Sequence, residues 1–180
     1  MSSADSPKAQ ERRIVDLALE VFNNYLSNFA SCQQIATLPV TKQLAEVHIN
    51  QFNILQGPSQ MKQLGEFFRV LSGLWVTEDF IDKFSSYLDQ LTPQIQHLFS
   101  MDAATMQATA GVRENVMRLF YILRGIVRGL NNSKTFTLFF DWFFPTYFSP
   151  VIEGALNAFN TDDEVVLVIL KFLTELVLNR

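Results

Sequence analysis

Apolar residues recur along this chain at steps of three and four, the spacing that lines one face of an α-helix. Ile14, Leu17, Val21, Tyr25 and Phe29 follow that spacing first and predict a helix from about Ala9 to Phe29. Pro39 then interrupts the chain, and Val40 to Asn50 carries Leu44 and Val47 in a shorter helical pattern able to pair with the first. A loop ends at Gly57-Pro58. Met61, Leu64, Phe68, Leu71 and Trp75 repeat the stripe, and Thr77 followed by Glu78 and Asp79 supplies a cap with acids in the first turn of the next helix. That helix uses Phe80, Phe84, Leu88, Leu91, Ile95 and Leu98, with Pro93 expected to kink it because proline removes a ladder hydrogen bond.

Beyond a connection over Ser100 to Thr105, Val112, Val116, Leu119, Leu123, Ile126 and Leu130 form another stripe, closed by the turn chemistry of Asn131-Asn132-Ser133. Phe136 to Phe159 is helical again but unusually aromatic, and Pro145 and Pro150 predict that it breaks. Thr161 at a cap position and Glu164 three residues on form a capping box before Val165, Val168, Phe172, Leu173 and Leu176. Helix starts near Pro58, Met106 and Thr161 open successive pairs, a unit of roughly 45 to 55 residues, near the length of two-helix HEAT-type repeats. No segment alternates as a strand does. The expectation is an all-α chain of about seven helices in antiparallel pairs, an α-α superhelix of HEAT-like type, with residues 1–8 as a disordered tail and residues 9–180 as one solenoid segment.

Composition narrows the function more than it alters the fold. A formal charge of -4 with 18% charged residues leaves no basic excess, so the phosphate-neutralising footprint of a nucleic-acid binder is missing. Cys32 is the only cysteine, which rules out an internal disulfide and suits a reducing compartment. The N-terminal residues Met1 to Lys8 lack the apolar core of a signal peptide, and the most apolar stretch, Trp142 to Ile152, is broken by two prolines and falls short of the roughly 20 residues that span a bilayer. Membrane insertion is not expected.

Candidate chemistry is sparse. His48 and His97 have no partner at the spacing that a metal site or catalytic pair needs, and neither a phosphate-cradling loop nor a reaction class can be assembled, so we expect no cofactor and no enzyme. Arg113, Tyr121, Arg124 and Arg128 share one side of their helix opposite the apolar stripe. They read either as a solvated face or as a surface for an acidic partner. The aromatic run from Phe136 to Phe148 reads either as core or as a docking groove, since aromatic side chains dominate binding hot spots.

Four strings carry a more specific signal: Leu123-Arg124-Gly125-Ile126; Lys134-Thr135; Phe140-Asp141-Trp142 with Pro145, Tyr147 and Pro150; and Leu170-Lys171-Phe172-Leu173-Thr174-Glu175-Leu176-Val177 before Asn179-Arg180. In order and spacing, the chain from about Val47 to Arg180 resembles the middle-to-late part of exportin-7-type receptors, the Ran-binding-protein type of karyopherin in the importin-β superfamily, while the first 46 residues match loosely. The resemblance implies an α-solenoid that binds the small GTPase Ran in its GTP form together with folded protein cargo, meets nucleoporins and shuttles between nucleus and cytoplasm. It implies no cofactor. Arg113, Arg124, Arg128 and Lys134 are the partner-binding candidates, and apolar faces at the first and last helices are expected to promote self-association.

Overall fold

The capping and stripe signals translate into helices throughout. The computed structural model describes residues 7–26, 31, 34–35, 37–39, 41, 43, 60–74 and 81–178. Among the described residues there are eight helices and no strand: α1 (Pro7–Leu26), α2 (Met61–Leu74), α3 (Ile81–Phe99), α4 (Ala103–Ala108), α5 (Val112–Gly129), α6 (Ser133–Phe143), α7 (Phe148–Phe159) and α8 (Asp163–Leu178). The helix expected over Val40 to Asn50 falls outside the described residues apart from Thr41 and Gln43, as do Phe29, His48, Trp75, Thr77, Phe80 and the first six residues of the expected tail. Pro7 and Lys8, assigned to that tail, already belong to α1.

Local chemistry sets the helix ends. Asp102 caps α4 by accepting from the Thr105 amide at 2.7 Å, and Asn132 caps α6 by accepting from the Lys134 amide at 2.8 Å. Ahead of α5 stands Gly111, whose φ of 81° lies in the left-handed region that glycine reaches without strain. At α8 the expected capping box is replaced. Asp162 takes the cap position in place of Thr161, and its Oδ1 accepts from the amides of Glu164 and Val165 at 3.1 and 3.2 Å. A carboxylate reaches both amides and complements the helix dipole, which a hydroxyl does more weakly. The aromatic segment breaks as its prolines predict, into α6 and α7 with turns over 144–147; Pro150 sits in the first turn of α7, where a missing amide costs little. Pro93, by contrast, lies inside α3, and its side is exposed.

Four helices, α1, α2, α5 and α8, form one row, each packed on the next, while α3, α4, α6 and α7 form a second row behind them. All four of the first row run in the same direction. Arg12 and Asp16 meet Gln63 and Leu26 meets Gly73 across α1 and α2; Gly65 meets Tyr121 and Arg69 meets Gly129 across α2 and α5; Phe120 meets Phe172 and Arg124 meets Glu175 across α5 and α8. Since α2, α5 and α8 begin at Met61, Val112 and Asp163, the step is 51 residues each time, the same separation that links Arg124 to Glu175. The repeat therefore lies within the expected range, although the row helix opens at Val112 and Met106 belongs to the short α4. This is the geometry of a helical-repeat solenoid.

The core follows the stripes with one reversal. Leu64, Phe68 and Leu71 of α2, Phe84 to Leu98 of α3, and all six stripe residues from Val112 to Leu130 are buried as expected. On α1 the expected stripe points the other way: Ile14, Leu17, Val21 and Tyr25 are all more than half exposed, and α1 packs on α2 through Val15, Leu19, Phe22 and Leu26. Both faces of α1 are apolar, so periodicity alone does not select the buried one. Phe139 and Phe143 of α6 stack at 5.6 Å, and Phe143 meets Phe172 edge-on at 5.5 Å, joining the two rows through aromatic contacts.

Candidate interaction surface

The three arginines read from the sequence all lie along α5, the helix buried on the most sides, and each reaches across to a neighbouring row helix. Arg113 donates from Nε and Nη2 to Asp162 at 2.6 and 3.1 Å, and from Nη2 to Glu164 at 2.6 Å. A two-pronged guanidinium matches a carboxylate in this way where a lysine ammonium cannot. The contact holds the Asp162 carboxyl below its usual range, chiefly by hydrogen bonding from Arg113, and raises Arg113 in turn. Arg124 donates through Nε and Nη2 to Glu175 Oε1 at 3.2 and 2.8 Å. Arg128 bridges two helices at once: Nη1 donates to Glu66 Oε1 on α2, and Nε lies 3.6 Å from Glu175 Oε1 on α8.

Glu66 is the hub on the α2 side. Its Oε2 also accepts from Asn23 of α1 at 3.3 Å and from Arg69 at 3.4 Å. The result is a polar ladder, Asn23 to Glu66 to Arg128 to Glu175 to Arg124, that crosses all four row helices on one side. The side chains of Glu66, Arg124, Arg128 and Glu175 are each about a quarter exposed. Lys134 is exposed in the first turn of α6, in the second row. Tyr121 is half-buried and, with Lys62, Gly65, Glu66 and Gly125, lines a cleft of about 210 Å³ over the α2 and α5 crossing.

That crossing is close because of glycine. A Cβ at Gly125 would overlap the Gly65 carbonyl, and one at Gly129 would overlap that of Arg69, so the two backbones touch where side chains normally intervene. The ladder's acids were not paired with its arginines by reading the sequence, because Glu66 and Glu175 lie 62 and 51 residues from their partners. The signal available was the 51-residue step itself, which sets Arg124 opposite Glu175 once the helix starts are aligned.

The aromatic run divides between its two readings. Phe139 and Phe143 are core, whereas Phe136, Phe140, Phe144 and Phe148 stack in sequence at 6.4, 4.7 and 4.7 Å along the surface, with Phe140 and Phe144 at 39% and 46% exposure. A wider groove of about 600 Å³ between α1 and α2 carries both signs of charge, including Arg12, Asp16, Glu20, Lys62, Glu66 and Arg69. Among the described residues no group of three or more His, Cys, Asp or Glu side chains is placed to hold a metal ion, and no helix is long and apolar enough to cross a membrane. His97 is exposed at the end of α3.

The arrangement is thus one of surfaces and seams, and known proteins bear on which kind. Exportin-7 of Dictyostelium discoideum is 24% identical over 173 residues, which is 96% of this chain and 17% of that protein. The chain is similar to a stretch of exportin-7. Exportin-7-B of Xenopus laevis is 23% identical over 175 residues, and Ran-binding protein 17 of Mus musculus 22% identical over 175 residues, each match covering 93% of the chain and 16% of the relative. The chain therefore spans about a sixth of the length of these relatives, and the aligned stretch takes in most of the first 46 residues. No family model and no solved structure matches the chain. The strings that carry the likeness touch in the fold: Arg124 of the first is bonded to Glu175 of the last, and Gly125 makes the closest approach to α2.

Proposed function

We propose that the chain is a solenoid stretch of a karyopherin-type nuclear export receptor, a binding protein and not an enzyme, that associates with Ran in its GTP form and with folded protein cargo and shuttles between nucleus and cytoplasm past nucleoporins. The likeness to exportin-7 and Ran-binding protein 17 along nearly the whole chain supports this reading, together with a row of parallel helices repeating every 51 residues. Repeats that touch only their neighbours flex by many small rotations, which suits a receptor that wraps partners of different shape. Where Ran-GTP and cargo favour one curvature, each raises the other's affinity by the same factor.

Within that role this stretch is chiefly scaffold. Arg113, Arg124 and Arg128 hold neighbouring helices through their acids, so an acidic partner meets the part of each guanidinium left open to solvent and competes with Asp162, Glu164, Glu175 and Glu66. Lys134, exposed in the first turn of α6, is the fourth cation offered to such a partner. The test is an exchange in which this chain replaces the matching 173-residue stretch of Dictyostelium exportin-7, followed by binding of Ran-GTP against Ran-GDP at near-physiological salt, with and without cargo. The expected chimera folds and keeps its preference for Ran-GTP. A folded chimera with no such preference overturns the receptor reading and leaves a helical scaffold without a Ran link.

A further inference from the structure

Taking the chain as a binding protein, with or without a link to Ran, we infer that the cleft over the α2 and α5 crossing receives one acidic side chain of a protein partner, held by Lys62, Tyr121, Arg124 and Arg128. The crossing lies in mid-row, with α1 packed beyond α2 and α8 beyond α5, so the neighbouring row helices on both sides are already in place. Glycine makes the depression. Gly65 and Gly125 bring the two backbones together and offer no side chain to fill the space of about 210 Å³ above them.

The groups around this space have donors left over. Three cations and one acid line it, on a chain whose formal charge is -4. The acid is Glu66, and it already accepts from Asn23, Arg69 and Arg128. Lys62, one turn earlier on α2, is exposed and has no ion pair among the described residues, and the Tyr121 hydroxyl has no hydrogen bond among them. Arg124 uses Nε and Nη2 on Glu175, while Arg128 uses Nη1 on Glu66 and holds Nε 3.6 Å from Glu175, so Nη1 of Arg124 and Nη2 of Arg128 are left over. An ammonium, a phenol and two guanidinium groups with spare N–H donors call for a negatively charged acceptor. The surroundings select one carboxylate over a polyanion. Asp16 and Glu20 line the wider groove that shares Lys62 and Glu66 with the cleft, and Glu175 stands on the α8 side. A run of phosphates needs a continuous basic track and would meet these acids, whereas a folded protein presenting a single acid beside neutral or basic residues avoids them.

The test is a titration of the isotope-labelled 180-residue chain with the blocked tripeptide acetyl-Gly-Glu-Gly-amide at constant ionic strength, read from backbone amide shifts. The expected result is saturable shifts at Gly65, Tyr121 and Gly125 with a dissociation constant of roughly 10–50 mM, as suits one carboxylate, and none with the glutamine counterpart of the peptide. Lys62→Gln is expected to weaken binding about threefold and Tyr121→Phe about twofold, with helical content unchanged by circular dichroism because both side chains reach solvent. Equal shifts around Arg113 and Lys134, binding of the glutamine peptide, an unaffected Lys62→Gln variant, or tighter binding of a short oligothymidylate would each overturn the carboxylate site. A chimera without preference for Ran-GTP, with the peptide shifts intact, would overturn the receptor reading alone.

Discussion

The two contacts that α5 makes within its row cross the same 51-residue step by different means. Against α2 it presents Gly125 and Gly129, and the backbones close on each other over Gly65 and Arg69. Against α8 it presents side chains: Phe120 lies 5.9 Å from Phe172, and the arginines at positions 113 and 124 reach Asp162, Glu164 and Glu175. A regular architecture thus rests on irregular seams. Each seam needs only to fill the gap between two helices, and backbone contact fills it as well as aromatic rings do. For that reason the repetition is plain in helix starts and faint in residues.

Breaking the first seam has the largest expected effect. Gly125→Val places a branched side chain against the Gly65 carbonyl and the Phe68 Cβ, neither of which can yield, so a loss above about 4 kcal/mol, or failure to fold, is expected in urea denaturation. Phe172→Ala opens the second seam and is expected to cost about 3–4 kcal/mol by the same measurement, because its ring joins Phe120 of one row to Phe143 of the other. Glu175→Gln leaves Arg124 and Arg128 without their shared charge. About 1 kcal/mol is expected, and a double-mutant cycle with Arg124→Gln should show coupling while one with Arg113→Gln should not.

The smallest effect sharpens the comparison by pH. Asp162 has its carboxyl lowered in the folded chain by Arg113, so its contribution is present above the ordinary aspartate range and is lost as pH falls through the lowered value. Stability at the α5 and α8 seam should therefore decline below about pH 4, and Asp162→Asn should remove that part of the decline, read from thermal melts across pH. The backbone contact over Gly65 and Arg69 carries no ionisable group, so protection from amide exchange in α2 should persist after exchange at the start of α8 has quickened.

Much of this was legible from spacing. The stripe from Val112 to Leu130 predicts the most central helix, the prolines at 145 and 150 predict the break between α6 and α7, and the helix starts predict the length of the unit. What spacing does not carry is the choice between equivalent faces. On α1 the Ile14 to Tyr25 set and the Val15 to Leu26 set are both apolar at helical intervals, and only the packing on α2 decides between them. The arginine face was visible, but its acids come from other helices, so a surface that looks available to a partner is largely engaged within the chain. The aromatic run hid a division that alternates within one helix turn, Phe139 and Phe143 inward, Phe140 and Phe144 outward.

Seams of different chemistry also act as addresses. The bare glycine groove of α5 receives α2 at Gly65, while the Phe120 and Arg124 side receives α8, whose Phe172 and Glu175 correspond, once the helix starts are aligned, to Val70 and Gly73 of α2. Units of equal length and equal direction could otherwise trade places during folding. Here a misplaced helix meets either a backbone collision or an unmatched charge, so the order of units along the solenoid is encoded at each junction and proofread as the chain closes.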